Sequence, residues 1–164
     1  MKTALKLGFG VVSLFMLVAL LVAPTSADDR HAGYYYPPPD LEPEVYEARA
    51  TTMLDASRPT RIGFVTAIST QNRSLPYPPP AVMFAKGTEA EKLIIVALQD
   101  GRIDTIYRAR ALFADMTAQA RILPIFKEMA VQDTYTFFDL LKMLGFVQVT
   151  ISNGREFTHQ VLIR

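Results

Sequence analysis

The tetrapeptide Tyr-Pro-Pro-Pro stands twice in this chain, at 36–39 and at 77–80. Each copy removes three consecutive backbone donors and fixes three φ angles. Neither a helix nor an inner strand tolerates that, so both segments must be polyproline II or rigid loop. Two further tyrosines, Tyr34 and Tyr35, precede the first copy, behind Asp28-Asp29-Arg30-His31-Ala32-Gly33. The pattern predicts an extended arm over 28–56, with a helical turn open over 44–50, and a single folded domain over 57–164. Aromatic–proline ridges lose little entropy on ordering and dock into partner grooves. Tyr34, Tyr35, Tyr36 and Tyr77 are therefore candidate binding residues. The competing reading is a linker that holds the domain off the membrane, followed by a stiff loop.

Ahead of the arm, Lys2 and Lys6 lead into an uncharged run, Leu7 to Val22, and then Ala23-Pro24-Thr25-Ser26-Ala27. That is the order of a cleavable secretory signal over 1–27, with small residues at Thr25 and Ala27 for the peptidase. The run is shorter than the roughly 20 residues that span a bilayer comfortably, although an uncleaved anchor remains the alternative. Cleavage takes Lys+Arg from 17 to 15 against 16 Asp+Glu, because Lys2 and Lys6 leave with the signal. A near-neutral chain gives no electrostatic case for nucleic acid. The chain has no cysteine, which excludes disulfides, thiol catalysis and an acylated-cysteine anchor. The expected destination is the periplasm or the exterior.

Within the domain, Ser57 caps a helix with Pro59 in its first turn. Residues 60–72 fit both a helical face (Ile62, Val65, Ile68) and a strand's alternation, and the helix is favoured. A strand follows over 81–85. Leu93–Leu98, apolar on both faces, reads as a covered central strand. Asp104 is the expected cap of the longest helix, roughly 105–122, and Pro124 opens a short one. Thr136 with Asp139 has the spacing of a capping box, closed by Gly145. In the last segment Val147, Val149 and Ile151 alternate with polar residues, as do Phe157, His159, Val161 and Ile163. A three-residue loop, Ser152-Asn153-Gly154, pairs Val149 with Phe157 and Val147 with His159, and keeps the apolar faces together. The expected class is α+β: an antiparallel sheet of about four strands in two hairpins, with about three helices on one face.

No His-Glu-x-x-His, Gly-x-Ser-x-Gly or phosphate-cradling loop is present, and the chain has only two histidines. No metal and no cofactor is expected. His31 misses by one residue the third position that favours amino-terminal copper or nickel capture. Asp100 with Asp104, or Asp133 with Asp139, are conceivable acid–base pairs, but turn, cap and solvated face account for them more simply. Arg108 is a candidate anion-binding residue, one turn from Asp104. Arg110 points about 200° away from it at helical spacing, so the two form no single clamp.

The segment 30–37 after a signal, with Ala85-Lys86-Gly87, 89–98, 108–112 and 136–145, resembles a family of small exported proteobacterial proteins of unknown function. Members sometimes carry the label molybdopterin-guanine dinucleotide biosynthesis protein A. That label implies a nucleotidyltransferase with a glycine-rich phosphate loop near the N-terminus, and this sequence has none. The reading that results is an exported, non-enzymatic binding or accessory module for a protein or small ligand of the cell envelope. The alternative is an enzyme using carboxylates and arginines. A deep pocket gathering Asp100, Asp104, Arg108, Asp133 and Asp139 would favour the enzyme, and a groove bordered by a Tyr-Pro segment the binding module.

Overall fold

The helices begin and end where local chemistry dictates. In the computed structural model, which describes residues 39, 42–99 and 101–164, helix α1 spans Arg58–Arg73 and Ser57 accepts the Thr60 N–H. Helix α2 spans Ile106–Arg121, and its cap is Thr105, which accepts the Arg108 N–H. Asp104, the expected cap, instead takes the Arg108 guanidinium at 2.9 Å. Pro124 opens α3 (Pro124–Glu128). Helix α4 (Phe137–Met143) starts with the full capping box of Thr136 and Asp139. It ends with Gly145 at φ +81°. There Gly145 N–H donates to the Lys142 carbonyl and Phe146 N–H to that of Leu141, the paired bonds of a Schellman stop.

Five strands form one sheet in the order β1-β5-β4-β3-β2: β1 (Glu44–Tyr46), β2 (Ala81–Lys86), β3 (Lys92–Ala97), β4 (Gln148–Ser152) and β5 (Thr158–Ile163). The α+β class holds, but the sheet is mixed rather than antiparallel and carries one strand and one helix more than expected. β2–β3 and β4–β5 are antiparallel hairpins. β3 and β4 are parallel, because the chain between them crosses through α2, α3 and α4 and re-enters the sheet running the same way. Glu44–Tyr46, read as arm or helical turn, is instead an edge strand parallel to β5. The expected signal over 1–27 and Tyr34, Tyr35 and Tyr36 lie outside the described residues.

The C-terminal hairpin departs from its expected register. Val149 pairs with Val161 and Ile151 with His159, so the connection is Asn153–Phe157, not Ser152-Asn153-Gly154. Asn153 makes the longer loop: its Oδ1 accepts the N–H of Arg155, Glu156 and Phe157 at 3.0, 3.1 and 3.0 Å. Ser152 Oγ accepts the Gly154 N–H and donates to the Phe157 carbonyl. A side chain that satisfies three successive donors closes a loop the Gly rule alone does not describe. Gly154 is left-handed, at φ +72°.

The core lies on one face of the sheet. Leu93 and Ile95 of β3, Val149 and Ile151 of β4, and Val161 and Ile163 of β5 meet Val65 of α1, Phe113 of α2 and Leu141 of α4. A second cluster under α3 joins Phe126 to Ala120, Leu140 and Met143. Arg61 of α1 is 6 % exposed and has no carboxylate partner among the described residues. Its Nε and Nη2 donate to the Glu89 carbonyl at 2.9 and 2.7 Å, and Nη1 to that of Leu144 at 3.2 Å. The guanidinium thus sits on the negative end of α4 and ties it to the β2–β3 turn. Among the described residues no helix is long and apolar enough to cross a membrane.

Candidate functional site

Helix α1 packs along β2 and α2 packs along α4, but the two long helices make no extended contact with one another. Apolar residues of both face a gap between them. Phe64 and Ile68 look in from α1, and Leu112 and Met116 from α2, over a floor of Ala81, Met83, Phe137 and Leu140. The cavity so formed has a volume of about 330 Å³. Its polar side chains are three amides, Gln71, Asn72 and Gln119, and among the described residues no acidic, basic or hydroxyl side chain lines it. Pro80, the last residue of the second Tyr-Pro-Pro-Pro segment, stands at its border with Leu75 and Leu123. Those two leucines are 49 % and 36 % exposed, so the mouth as well as the interior is apolar.

The residues singled out in the sequence lie elsewhere. Tyr77 is 78 % exposed in the loop before β2 and does not line the cavity, although its neighbour Pro80 does. Arg108 lies on the exposed side of α2, bonded to Asp104 and to the Gly101 carbonyl. Arg110 pairs with Glu44 on β1 instead. Arg121 reaches the Tyr135 carbonyl at 3.5 Å. The arginines of α2 are therefore dispersed over separate partners.

Two buried polar clusters are structural in their chemistry. Asp139, fully buried, accepts Tyr46 Oη–H at 2.8 Å and Arg49 N–H at 2.7 Å, besides Thr136 N–H and Oγ–H. Burial acts to raise its pKa, but the Thr136 N–H, the Tyr46 hydroxyl and the Arg49 N–H outweigh burial and hold the carboxyl below its ordinary value. Burial and the adjacent carboxylate push the Tyr46 hydroxyl up, against the opposing bond from Thr136. An acid held ionised by fixed donors, with no face toward the cavity, is an anchor rather than a proton carrier. His159 is 3 % exposed beside Ile151, with Nε2 3.4 Å from Glu44 Oε2 and outside hydrogen-bond geometry. The sequence placed it opposite Val147; it stands opposite Ile151 instead, deeply buried. Partial burial acts to raise the Glu44 pKa, while Arg110 and His159 bring it below its ordinary value.

Among the described residues no three His, Asp or Glu side chains gather in a way that would hold a metal ion. Asp100 lies outside the described residues. No family model, curated protein or solved structure matches this chain. The site therefore has to be read from its own chemistry. From the sequence Ile68 reads only as part of a helical face, because an apolar residue facing a cavity and one facing a core look alike in one dimension.

Proposed function

We propose that this chain is an exported, non-enzymatic binding module whose cleft between α1 and α2 takes a small, neutral, largely apolar ligand. The observation that carries the reading is a 330 Å³ cavity with an apolar mouth and amides as its polar groups. That volume lies at the lower end of small-molecule sites, which are mostly apolar with a few polar groups fixing orientation. A charged ligand would meet no counter-charge there and would lose its hydration without compensation. Gln71, Asn72 and Gln119 offer both donors and acceptors, which suits one hydroxyl, carbonyl or amide on an otherwise apolar body. Asp104, Arg108, Asp133 and Asp139 do not line the cleft, and Pro80 borders it; both facts favour binding over acid–base catalysis. Export rests on the signal pattern of residues 1–27 and places the ligand in the cell envelope.

Titration of the mature chain with N-phenyl-1-naphthylamine, a neutral apolar fluorophore, tests the reading. Saturable, blue-shifted emission is expected. Leu123→Arg, at a partly exposed position on the mouth, should weaken it by about tenfold with an unchanged melting temperature. Equal binding by both chains, or none by the wild type, refutes the assignment.

A further inference from the structure

Strand β2 forms one edge of the sheet. One bond phases its ladder to β3: Leu98 N–H donates to the Pro80 carbonyl at 3.0 Å, so that pair is of the hydrogen-bonded kind. Bonded and non-bonded pairs alternate along an antiparallel ladder. Val82 and Phe84 therefore bond inward to β3, and the N–H and C=O of Ala81, Met83 and Ala85 point outward. None of these outward groups has a partner among the described residues. An exposed edge of this kind is a template for another strand unless it is blunted or covered.

Beside this edge runs a groove of about 460 Å³ between β2 and α1. Ile62, Thr66 and Ser69 form its helix side, and Phe84, nearly half exposed, its lip on the strand side. Arg73, in the last turn of α1, lines the groove and has no ion-pair or hydrogen-bond partner among the described residues. Among the described residues no carboxylate lines it. A second copy of β2 is a poor occupant, because Ala81–Lys86 carries no acid for Arg73 and would bring another cation.

We propose that the β2 edge and α1 form a docking groove for an extended, acidic peptide segment of a partner protein, added as a sixth strand. Its backbone would bond Ala81, Met83 and Ala85. Alternate apolar side chains would meet Ile62 on one face and Phe84 on the other, with a carboxylate on Arg73. Strand addition takes its affinity from main-chain bonds and its specificity from such alternate side-chain sites. The groove is separate from the cleft of the proposed ligand, and only Met83 borders both.

The test is selection of a phage-displayed random heptapeptide library on the mature chain, followed by fluorescence anisotropy of the leading peptide as free acid and as amide. Enrichment of alternating apolar peptides with an acid is expected. Loss on amidation assigns the carboxylate to the peptide terminus, and retention assigns it to a side chain; either supports the groove. Ala85→Pro removes one outward N–H without breaking a bond to β3, and Arg73→Glu reverses the charge at an exposed position. Each should weaken binding by about tenfold with the melting temperature preserved. If Ala85→Pro fails to fold, Arg73→Glu still decides. No enrichment, acid-free peptides, or unchanged affinity in Arg73→Glu overturns the proposal. So does a concentration-dependent dimer in sedimentation that Ala85→Pro dissolves, which would assign the edge to a second copy.

Discussion

Replacing Asp139 by Asn keeps the shape of the side chain and removes one acceptor and the charge. In the wild type both carboxylate oxygens face only donors. Oδ1 takes the N–H of Arg49 and Ala50 at 2.7 and 3.2 Å. Oδ2 takes the Tyr46 hydroxyl and the Thr136 N–H, each at 2.8 Å, and the Thr136 hydroxyl at 3.0 Å. An asparagine NH₂ turned to the Oδ2 side can donate to the two hydroxyls but meets the Thr136 N–H donor against donor, and turned the other way it meets the N–H of both Arg49 and Ala50. Hydrogen bonds to a charged group contribute roughly 1.5–3 kcal/mol each, and an orphaned buried donor keeps its desolvation penalty. Allowing for relaxation, Asp139→Asn should cost about 3 kcal/mol, a large share of the roughly 5–15 kcal/mol that holds a domain together. The melting temperature should fall by roughly 10 °C for a domain of this size.

The pH dependence sharpens the test. Asp139 has a folded-state pKa below its unfolded value. Its stabilisation is therefore fully present above the unfolded pKa, about 3.9, and is lost as pH falls through the folded pKa. The wild-type and Asp139→Asn unfolding free energies, measured by urea titration, should differ most at neutral pH and converge below about pH 4. A loss under about 1 kcal/mol at pH 7 is what a simple exposed N-cap would give. That result, or a difference independent of pH, refutes the claim that this carboxylate joins the β1 end of the sheet to α4.

Further outcomes follow from the same coordinates. Gly145→Ala should destabilise by about 2 kcal/mol in chemical melts: φ there is +81°, and an added Cβ falls 2.5 Å from the buried Arg61 Nη1. Asn153→Ala should cost about 1–2 kcal/mol by the same melts, since three loop N–H groups lose their acceptor and water replaces it only in part; a loss as small as that of Arg155→Ala would reinstate the shorter loop. The exported protein should begin at Asp28 by intact mass, and a membrane species retaining residues 1–27 would support an anchor instead.

How much of this was legible depends on the range of the interactions involved. Three helix ends were legible because their determinants lie within a few residues: Ser57 with Thr60, Thr136 with Asp139, and Gly145 after Leu144, whereas the α2 cap is Thr105 and not the neighbouring Asp104. The strand β1 was not, because three residues carry no periodicity and its partner, β5, lies at the other end of the chain. The parallel pairing of β3 and β4 was likewise hidden, since local pattern fixes a strand's faces but not its neighbour. Nothing local marks Arg61 as buried; only the approach of Glu89 and Leu144 from distant elements makes a buried cation tolerable there.

The hairpin shows where face and register separate. The expected pairing of Val149 with Phe157 and the observed pairing with Val161 differ by four residues along β5. An even shift leaves every side chain on its own face, so a period-two argument is blind to the choice between loops of three and five residues. His159 therefore falls on the core face in either register, but its neighbours change. In the shorter loop it would stand opposite Val147 near the sheet's end; in the longer one it stands beside Ile151, deep enough for β1 to bring Glu44 to it. What decides is the capacity of one Asn side chain for three successive N–H groups, a hydrogen-bonding fact that hydrophobic patterning does not contain. The cleft obeys the same logic: Leu112 and Met116 are apolar side chains of α2, and only the absence of extended contact between α1 and α2 makes the space before them a cavity.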